Sequence, residues 1–431
     1  MTSREIDMVV KGIKAIKDAP AALRLAMEIC AKCGTCAKEC PVYYGKSRKD
    51  LNPAERSDLI RKIYDRYYTP GGKLKSLFTG SNGTVSEEEL DRWAKAFYEC
   101  TACRRCARFC PMGLDNSVIT RKGRALLDAV GKTPSFLLKV IDASLQTGNT
   151  DGAPPVALEE AAKFLEEEIL EEDGVKVKIP VDKHPADVFF VPPSGDVLVN
   201  PEAIMGTAKV FHVLGVDWTM SSKAFDGANY GLFTGNDQAM KEDNKLYIEE
   251  AREIGCKTLM MGECGHAHRI MKFMMEKAHW WGDLSFEINN ILQFTARAIQ
   301  EGKLEFDKSK NPDPVTYHDP CNFGRSCGII EEPRVIMRAC CADYREMTPS
   351  GAENWCCGGG GGLSAMDSIK EFRMTVSGKK KVEQVRATGA KYVASPCSNC
   401  KRQFTQLMQH HELDVGTGGL HDLVSRAIVY Q

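Results

Sequence analysis

The sequence carries almost no net charge, because its 57 Lys and Arg residues nearly balance 58 Asp and Glu residues. The basic footprint typical of nucleic-acid binding, or of binding to anionic lipid, is therefore not indicated. No apolar run reaches the roughly 20 residues that a transmembrane helix needs. The start, Met1-Thr2-Ser3-Arg4-Glu5, is charged and has no apolar signal-peptide core. These absences predict a cytoplasmic protein with no nucleic-acid partner.

Cysteine, in contrast, is abundant, with 18 residues in a chain of 431. In a short secreted protein this number would predict disulfides. In a long chain without a signal segment it predicts reduced thiols that hold metal. The length itself is enough for two or three domains.

Two cysteine runs have the spacing of bacterial ferredoxins. The run Cys30-x-x-Cys33-x-x-Cys36-x-x-x-Cys40-Pro41 recurs 70 residues later as Cys100-x-x-Cys103-x-x-Cys106-x-x-x-Cys110-Pro111. In this spacing the fourth cysteine of each run ligates the other cluster. Zinc ribbons are the alternative, but two copies that each end in Cys-Pro favour iron. We predict one [4Fe–4S] cluster on Cys30, Cys33, Cys36 and Cys110, and one on Cys100, Cys103, Cys106 and Cys40.

The segment between the two runs reads as mainly helical. Apolar spacing predicts a helix from Pro53 to Tyr68, and Ser86-x-x-Glu89 is a capping box that opens a helix leading to Cys100. Residues 69–83, rich in glycine, are predicted to be a loop. Residues 1–145 are therefore predicted to form one helical domain.

Residues 146–186 are predicted to be a linker with an acidic helix. A break rich in Gly and Pro precedes the helix, which runs from Val156 to Glu172. The alternating segment from Val175 to Pro180 is predicted to be a short strand.

The remaining sequence contains a degenerate internal repeat, with halves at residues 187–305 and 306–431. Val188-Phe189-Phe190-Val191 corresponds to Val315-Thr316-Tyr317, and Gly255-Cys256-Lys257 corresponds to Gly389-Ala390-Lys391. Each half reads as strand, loop, helix, loop, helix, strand, loop, helix, so each is predicted to be a small α/β unit with parallel strands.

The second half contains five further cysteines in a distinctive arrangement. Cys356-Cys357 opens onto the glycine run Gly358–Gly362, with Cys321 35 positions earlier and Cys397-x-x-Cys400 40 positions after Cys357. Five thiols are one more than a tetrahedral zinc or a cubane cluster needs, so we predict an unusual iron–sulfur cluster. The backbone of Gly358, Gly359 and Gly360 could approach it closely and donate N–H groups. No Lys-Ser/Thr follows the run, which excludes a phosphate loop.

The first half lacks most of these ligands. It keeps Cys264, whereas Asp226 and Ala267 stand at the other ligand positions, so we predict a scaffold without a cluster. His266 and His268 beside Cys264 are interpreted as structural or pocket-lining. His318 in the second half could donate to the special cluster or protonate a thiolate. A loop histidine bonded to backbone is the equal alternative.

The pattern Cys…Cys-Cys-Gly-Gly…Cys-x-x-Cys resembles the CCG domain of heterodisulfide reductases. Behind two ferredoxin motifs, it makes the whole chain similar to their D-type subunit. The iron–sulfur subunits of the Dsr, Hmc and Tmc membrane complexes of sulfate reducers have the same outline, as does the ferredoxin subunit of glycolate oxidase. The glycine run and the degenerate repeat favour the sulfate-reducer type, and the short length favours Tmc.

The resemblance implies a fold class of α+β / α/β. An α-helical ferredoxin domain with two [4Fe–4S] clusters would precede a pseudo-repeat of two small α/β units of the CCG type. It also implies that a special [4Fe–4S] cluster, cubane or non-cubane, is held by the cysteines that match the family's ligands: Cys321, Cys356, Cys357, Cys397 and Cys400.

The function implied is that of an iron–sulfur electron-transfer subunit in a respiratory complex on the cytoplasmic face of the inner membrane. Its expected partners are an integral membrane b-type haem subunit, a periplasmic multihaem cytochrome c, a further small subunit and a cytoplasmic redox acceptor. Two alternatives stay open: a true heterodisulfide reductase, and the iron–sulfur subunit of a glycolate- or lactate-type oxidase.

Overall fold

A computed structural model describes residues 3–79, 85–274 and 280–430. These residues fall into two compact units, both discontinuous in sequence. We call the first the helical unit; it comprises Met1–Leu138, Tyr230–Asp237 and Trp355–Lys381. We call the second the sheet unit; it comprises Lys139–Asn229, Gln238–Asn354 and Val382–Gln431.

The helical unit is built from helices around an apolar core. Its helices are Ser3–Lys14, Ala21–Glu28, Thr35–Lys38, Pro41–Gly45, Pro53–Tyr68, Pro70–Thr79, Glu87–Tyr98, Arg105–Arg108, Asn116–Asp128, Gly231–Thr234 and Lys370–Phe372. The core includes Ile13, Ile60, Trp93 and Leu127, and Leu363 from the glycine-run segment packs into it.

Two of the predicted helices match the structure closely. The helix Pro53–Tyr68 has the predicted bounds, because Asn52 caps it by accepting from the Ala54 N–H at 3.0 Å. The helix Glu87–Tyr98 opens with the predicted capping box: Glu89 N–H donates to Ser86 Oγ at 3.1 Å, and Ser86 N–H donates to Glu89 Oε2 at 3.0 Å.

Two local predictions are wrong. Residues 69–83 are not a loop throughout, because Pro70–Thr79 is helical; Thr69 caps that helix by accepting from Gly72 N–H at 3.1 Å. Residues 80–84 lie outside the described residues. The segment from Val175 to Pro180 forms no named strand, and the chain makes only an isolated bridge between Val181 and Met220. Alternating side chains favour an extended backbone, but a strand also needs a neighbouring strand to pair with, and the described residues provide none for this segment.

The sheet unit contains two four-stranded parallel sheets with the same strand order. The strands are β1 Val188–Val191, β2 Trp218–Thr219, β3 Thr258–Met261, β4 Glu287–Asn290, β5 Glu305–Phe306, β6 Pro314–Tyr317, β7 Asp343–Glu346, β8 Tyr392–Ala394, β9 Gly416–Gly418 and β10 Ile428–Val429. The first sheet has the order β2-β1-β3-β4 and the second β7-β6-β8-β9. In each half the first strand lies between the second and third, which confirms the predicted parallel α/β repeat. Each half has four strands, however, whereas the sequence predicted two, because β2, β4, β7 and β9 have only two to four residues and too little pattern to be recognised.

Helices connect these strands, as parallel pairing requires. Those wholly in the sheet unit are Pro155–Asp173, Ser194–Leu198, Glu202–Val213, Gly265–His268, Ile291–Gln300, Glu331–Cys340, Ser398–His410 and Leu420–Ala427. Ser135–Thr147, Asp237–Ile254 and Lys379–Thr388 cross boundaries between the sequence ranges of the two units. The predicted acidic helix corresponds to Pro155–Asp173 and buries Leu158, Leu165 and Ile169.

Two properties of the whole described chain bear on function. All 18 cysteines lie within the described ranges, and none of them forms a disulfide there. None of the described helices combines the length and apolar character needed to cross a membrane.

Candidate metal centres

The two ferredoxin-type runs fold into matching turns. Lys32 and Gly34 have positive φ of 52° and 83°, and the corresponding Ala102 and Arg104 have 50° and 62°. Three of these four residues are not glycine, so the left-handed backbone is held against a steric cost. In the second copy the turn brings the Ala102 N–H to 3.4 Å from Cys100 Sγ. In the second copy the turn therefore directs a backbone donor at the sulfur of Cys100.

The first run is the more exposed of the two. Cys33 is exposed, Cys30 is partly buried and Cys36 is buried. Burial raises the pKa of the Cys36 thiol, and the nearby thiols of Cys30, Cys40 and Cys110 raise it further. Cys110 thus lies near the first run, although it belongs to the second in sequence.

The second run lines a cavity together with a cysteine from the first. Cys40, Cys100, Cys103 and Cys106 share this cavity with Arg56. Burial raises the pKa of Cys40 to about 11, and burial also raises the pKa of Cys106 well above its usual value. Bound metal favours thiolates, so buried thiols with raised pKa values lose their protons on metal binding. Four converging thiols and a buried cation fit a [4Fe–4S] cluster.

The glycine run packs on the backbone of the second cysteine run within the helical unit. A Cβ added at Gly360 would lie 2.7 Å from the Thr101 carbonyl oxygen, and one at Gly361 would lie 2.6 Å from the Cys100 carbonyl oxygen. Gly361 also has a φ of +67°, which strains any other residue. Only glycine permits this approach.

Cys356 and Cys357 are both buried at the start of this run. The Gly358 N–H donates to Cys356 Sγ at 3.4 Å, and the Gly358 carbonyl accepts from Ser377 Oγ at 2.9 Å. A Cβ at Gly358 would lie 2.6 Å from Gly378 N. The glycine therefore positions a sulfur atom and supplies an N–H···S contact, an arrangement that stabilises a thiolate.

In the sheet unit, Cys321, Cys397 and Cys400 follow the carboxyl ends of neighbouring strands. Cys321 comes after β6, and Cys397 comes after β8 and directly precedes the helix Ser398–His410. Cys397 and Cys400 are thus at the N-terminal end of a 13-residue helix, whose dipole favours thiolates.

His318 lies beside Cys400. A ring nitrogen of His318 and Cys400 Sγ are within 4.8 Å of one another. The His318 N–H donates to the Ala394 carbonyl at 3.0 Å, and the ring packs edge-on against Phe404 with centroids 5.0 Å apart. Both open interpretations of His318 have support here, because its backbone is bonded and its ring is near a predicted ligand.

The loop that carries Cys321 is fixed by a buried ion pair. Arg334 donates to both carboxylate oxygens of Asp319, at 2.9 and 3.0 Å, and Asp319 Oδ2 also accepts from Gly351 N–H at 2.7 Å. A buried bidentate pair of this kind holds a loop in one geometry.

In the first repeat, the residues that stand at or beside the ligand positions of the second repeat bond to neighbouring protein groups. Asp226 is buried with φ +119° and accepts from Thr150 N–H and Ser194 Oγ, each at 3.0 Å. Cys264 Sγ lies 3.3 Å from His266 Nδ1. Burial lowers the pKa of His266 to about 4 and that of His268 to about 3, so both imidazoles are neutral near pH 7.

Sequence reasoning missed a buried ionic network beside these cysteines. Lys401 follows Cys400 and contacts Asp196 at 2.8 Å and Glu263 at 3.0 Å; Glu263 precedes Cys264 and contacts His421 Nδ1 at 2.9 Å. Burial alone would raise the pKa of Glu263, but Lys401 and His421 lower it to about 2. The sequence did contain a signal for this network: a charged residue adjoins a cysteine in each half of the repeat, as Glu263-Cys264 and as Cys400-Lys401.

Comparison with known proteins gives two family matches. Residues 26–114 match the 4Fe-4S dicluster domain, and residues 315–405 match the CCG cysteine-rich domain. These matches confirm the predicted [4Fe–4S] cofactors, including a special one associated with the CCG domain.

Three curated relatives extend over nearly the whole chain. Iron-sulfur subunit 2 of the Hdr-like menaquinol oxidoreductase of Archaeoglobus fulgidus is 31% identical, over 98% of this chain and 83% of that protein. The iron-sulfur subunit of the corresponding Archaeoglobus profundus enzyme is 29% identical over the same shares. The D-type subunit of the dihydromethanophenazine:CoB–CoM heterodisulfide reductase of Methanosarcina barkeri is 25% identical over 96% of both chains.

Proposed function

The chain belongs to the family of heterodisulfide-reductase-like iron–sulfur subunits, and from this premise we propose that it transfers single electrons within a membrane-associated respiratory complex. Bound [4Fe–4S] clusters supply the one-electron chemistry, and the protein supplies ligands, burial and hydrogen bonds. The observation that carries the proposal is the packing of Gly360 and Gly361 on the carbonyls of Thr101 and Cys100. The cysteine run of a ferredoxin motif and the Cys-Cys-Gly segment are in backbone contact.

We assign the ligands as the sequence predicted them. The cavity shared by Cys40 with the second run supports the exchange of fourth ligands, and so does the position of Cys110 near Cys36. Three ligand sets follow: Cys30, Cys33, Cys36 and Cys110; Cys40, Cys100, Cys103 and Cys106; and, for the special cluster, Cys321, Cys356, Cys357, Cys397 and Cys400. Gly358, Gly359 and Gly360 line the special cluster in this assignment.

The proposed setting is the cytoplasmic face of the inner membrane. The relatives' names include a menaquinol oxidoreductase and a dihydromethanophenazine:CoB–CoM heterodisulfide reductase. These names support partner subunits in a membrane-associated complex. As those partners we propose a b-type haem subunit in the membrane, a periplasmic multihaem cytochrome c, a further small subunit and a cytoplasmic acceptor. Assignment to the Tmc-type complex of sulfate respiration stays a proposal of the same kind.

Electron transfer is tested by following the special cluster with electron paramagnetic resonance (EPR) after rapid photoreduction. The wild-type protein is compared with Cys103→Ser, which removes a ligand from the cluster site formed by Cys40, Cys100, Cys103 and Cys106. We expect reduction of the special cluster to slow by more than tenfold in the variant. Equal rates in both proteins would show that this cluster does not deliver electrons to the special cluster.

The second candidate is a disulfide reductase, favoured by His318 beside Cys400. Reduction of one disulfide consumes two electrons and two protons and releases two thiols, and a buried histidine near the sulfur could carry a proton. Oxidised protein treated with a substrate thiol such as coenzyme B would then give a new paramagnetic signal. Absence of that signal removes this candidate, and copurification with a b-type haem protein rather than a flavoprotein removes the oxidase alternative.

A further inference from the structure

Arg56 is buried at the cavity formed by the second cysteine run. It is 2% exposed, and it lies on the helix Pro53–Tyr68 facing Cys40, Cys100, Cys103 and Cys106. Its Nη2 donates to the Leu51 carbonyl at 2.8 Å, which fixes the direction of the guanidinium. An arginine side chain stays protonated in proteins, so this position carries a permanent positive charge.

No carboxylate neutralises that charge. Among the described residues, Arg56 forms no ion pair, and its Nε has no hydrogen-bond partner. Two other cations near the ferredoxin motifs differ in this respect: Arg104 pairs with Asp115 at 2.9 Å, and Lys32 pairs with Asp58 at 2.6 Å. A buried, unpaired donor beside four thiols calls for an anionic acceptor in the cavity.

We propose that Arg56 raises the reduction potential of the cluster held by Cys40, Cys100, Cys103 and Cys106. Each one-electron reduction adds a negative charge to the cluster. A fixed cation in a low-dielectric cavity stabilises that charge more than the oxidised form. The unpaired Nε–H is the donor available to a cluster sulfide or cysteine sulfur. Arg56 is therefore a tuning residue for the cluster next to the glycine run.

This inference rests on the proposed ligand set, and its test separates the two. The potentials of both ferredoxin-type clusters are measured by EPR-monitored redox titration of the full-length protein. In Arg56→Gln we expect one cluster to become at least tenfold harder to reduce, a shift of about 59 mV or more to lower potential for a one-electron couple. The other cluster is expected to keep its potential, and Arg56→Lys, which retains the charge, is expected to recover at least half the shift.

Lys62→Gln is the matched control, because Lys62 is exposed on the same helix and water screens its charge. Unchanged potentials in Arg56→Gln with both clusters present would overturn the inference.

If Arg56→Gln fails to assemble its clusters, a second test uses wild type and Arg56→Lys, both labelled with guanidino-¹⁵N arginine. A nitrogen hyperfine coupling to the reduced cluster that is lost in Arg56→Lys supports the inference, and identical spectra overturn it. Retention of both clusters in Cys40→Ser would instead contradict the ligand assignment.

Discussion

Arg124 donates from Nη1 to the Gly361 carbonyl at 2.7 Å, across 237 positions of sequence. Nη2 of the same buried side chain donates to the Cys100 carbonyl at 2.7 Å, and further bonds reach the carbonyls of Phe97 and Phe233. One guanidinium thus joins the second cysteine run to the glycine run. Since carbonyls rather than carboxylates receive the bonds, the contact is held without neutralising the charge.

We expect Arg124→Leu to destabilise the helical unit by about 3–5 kcal/mol, because several buried carbonyls lose their donor. The urea midpoint of the far-ultraviolet circular dichroism transition, measured anaerobically, reports the change. Arg92→Gln is the control, since Arg92 is exposed and should change stability by no more than about 0.5 kcal/mol. Similar midpoints for the two variants would show that Arg124 does not hold the glycine run.

Gly361→Ala is expected to reduce the occupancy of the special cluster more than a substitution that only strains the backbone elsewhere. The new Cβ meets the Cys100 carbonyl at 2.6 Å, which adds an overpacking cost of about 1–3 kcal/mol to the cost of about 1–2 kcal/mol for a positive φ. Gly131→Ala is a close control, because Gly131 has φ +68° with nothing within 4 Å of its added Cβ. The EPR signal of the special cluster should weaken only in Gly361→Ala. Equal loss in both variants would assign the effect to backbone strain alone.

Paired cysteine substitutions test the exchange of fourth ligands. Cys40→Ser combined with Cys103→Ser should remove ligands from one site, with a loss of about four iron atoms per chain. Cys110→Ser combined with Cys103→Ser should damage both sites, with a loss of about eight. Iron analysis and the number of reducible EPR signals provide the measurement. The reverse result would mean that each run binds its own cluster.

Stability should depend on pH through Asp243, which is distant in sequence from every predicted ligand. Burial raises its pKa from 3.8 to about 7, although a hydrogen bond from Ser144 opposes the shift. The folded protein therefore favours the protonated carboxyl. Its contribution is fully present below about pH 4 and is lost as the pH rises through about 7.

Asp243→Asn removes this dependence, because the amide does not ionise. We expect the variant to gain about 1–3 kcal/mol relative to wild type between pH 5.5 and pH 8. Urea midpoints across that range measure the difference. A difference between the two proteins that stays constant with pH would contradict the assignment of a raised pKa to Asp243.

Much of the architecture follows from local patterns in the sequence. The two cysteine runs predict their clusters because the spacing of ligands around a cubane is short and specific. The capping box at Ser86 and the spacing in Pro53–Tyr68 predict helices because capping and amphipathicity act within a few turns. The glycine run and the internal repeat likewise predict a special site and two parallel sheets.

Other predictions depended on partners that no local pattern names. Alternation from Val175 to Pro180 suggested a strand, but a strand needs a neighbouring strand in register, and the chain provides only the bridge from Val181 to Met220. Pro70–Thr79 forms a helix despite two adjacent glycines, because propensity is weak compared with packing against Pro53–Tyr68. The predicted domain ranges, including residues 306–431 as one CCG domain, stay predictions.

The sequence by itself determined the chemistry: thiolates in ligand spacing, glycines where backbone must come close, and a repeat that kept its cysteines in one half. The tertiary structure alone decided which charges surround those thiols. Arg56 and Arg124 in the helical unit, and Lys401 with Glu263 in the sheet unit, are buried by contacts between distant segments. Ligand spacing is short-range and can be read along the chain, whereas the electrostatic field of a buried site sums over residues that only folding brings together.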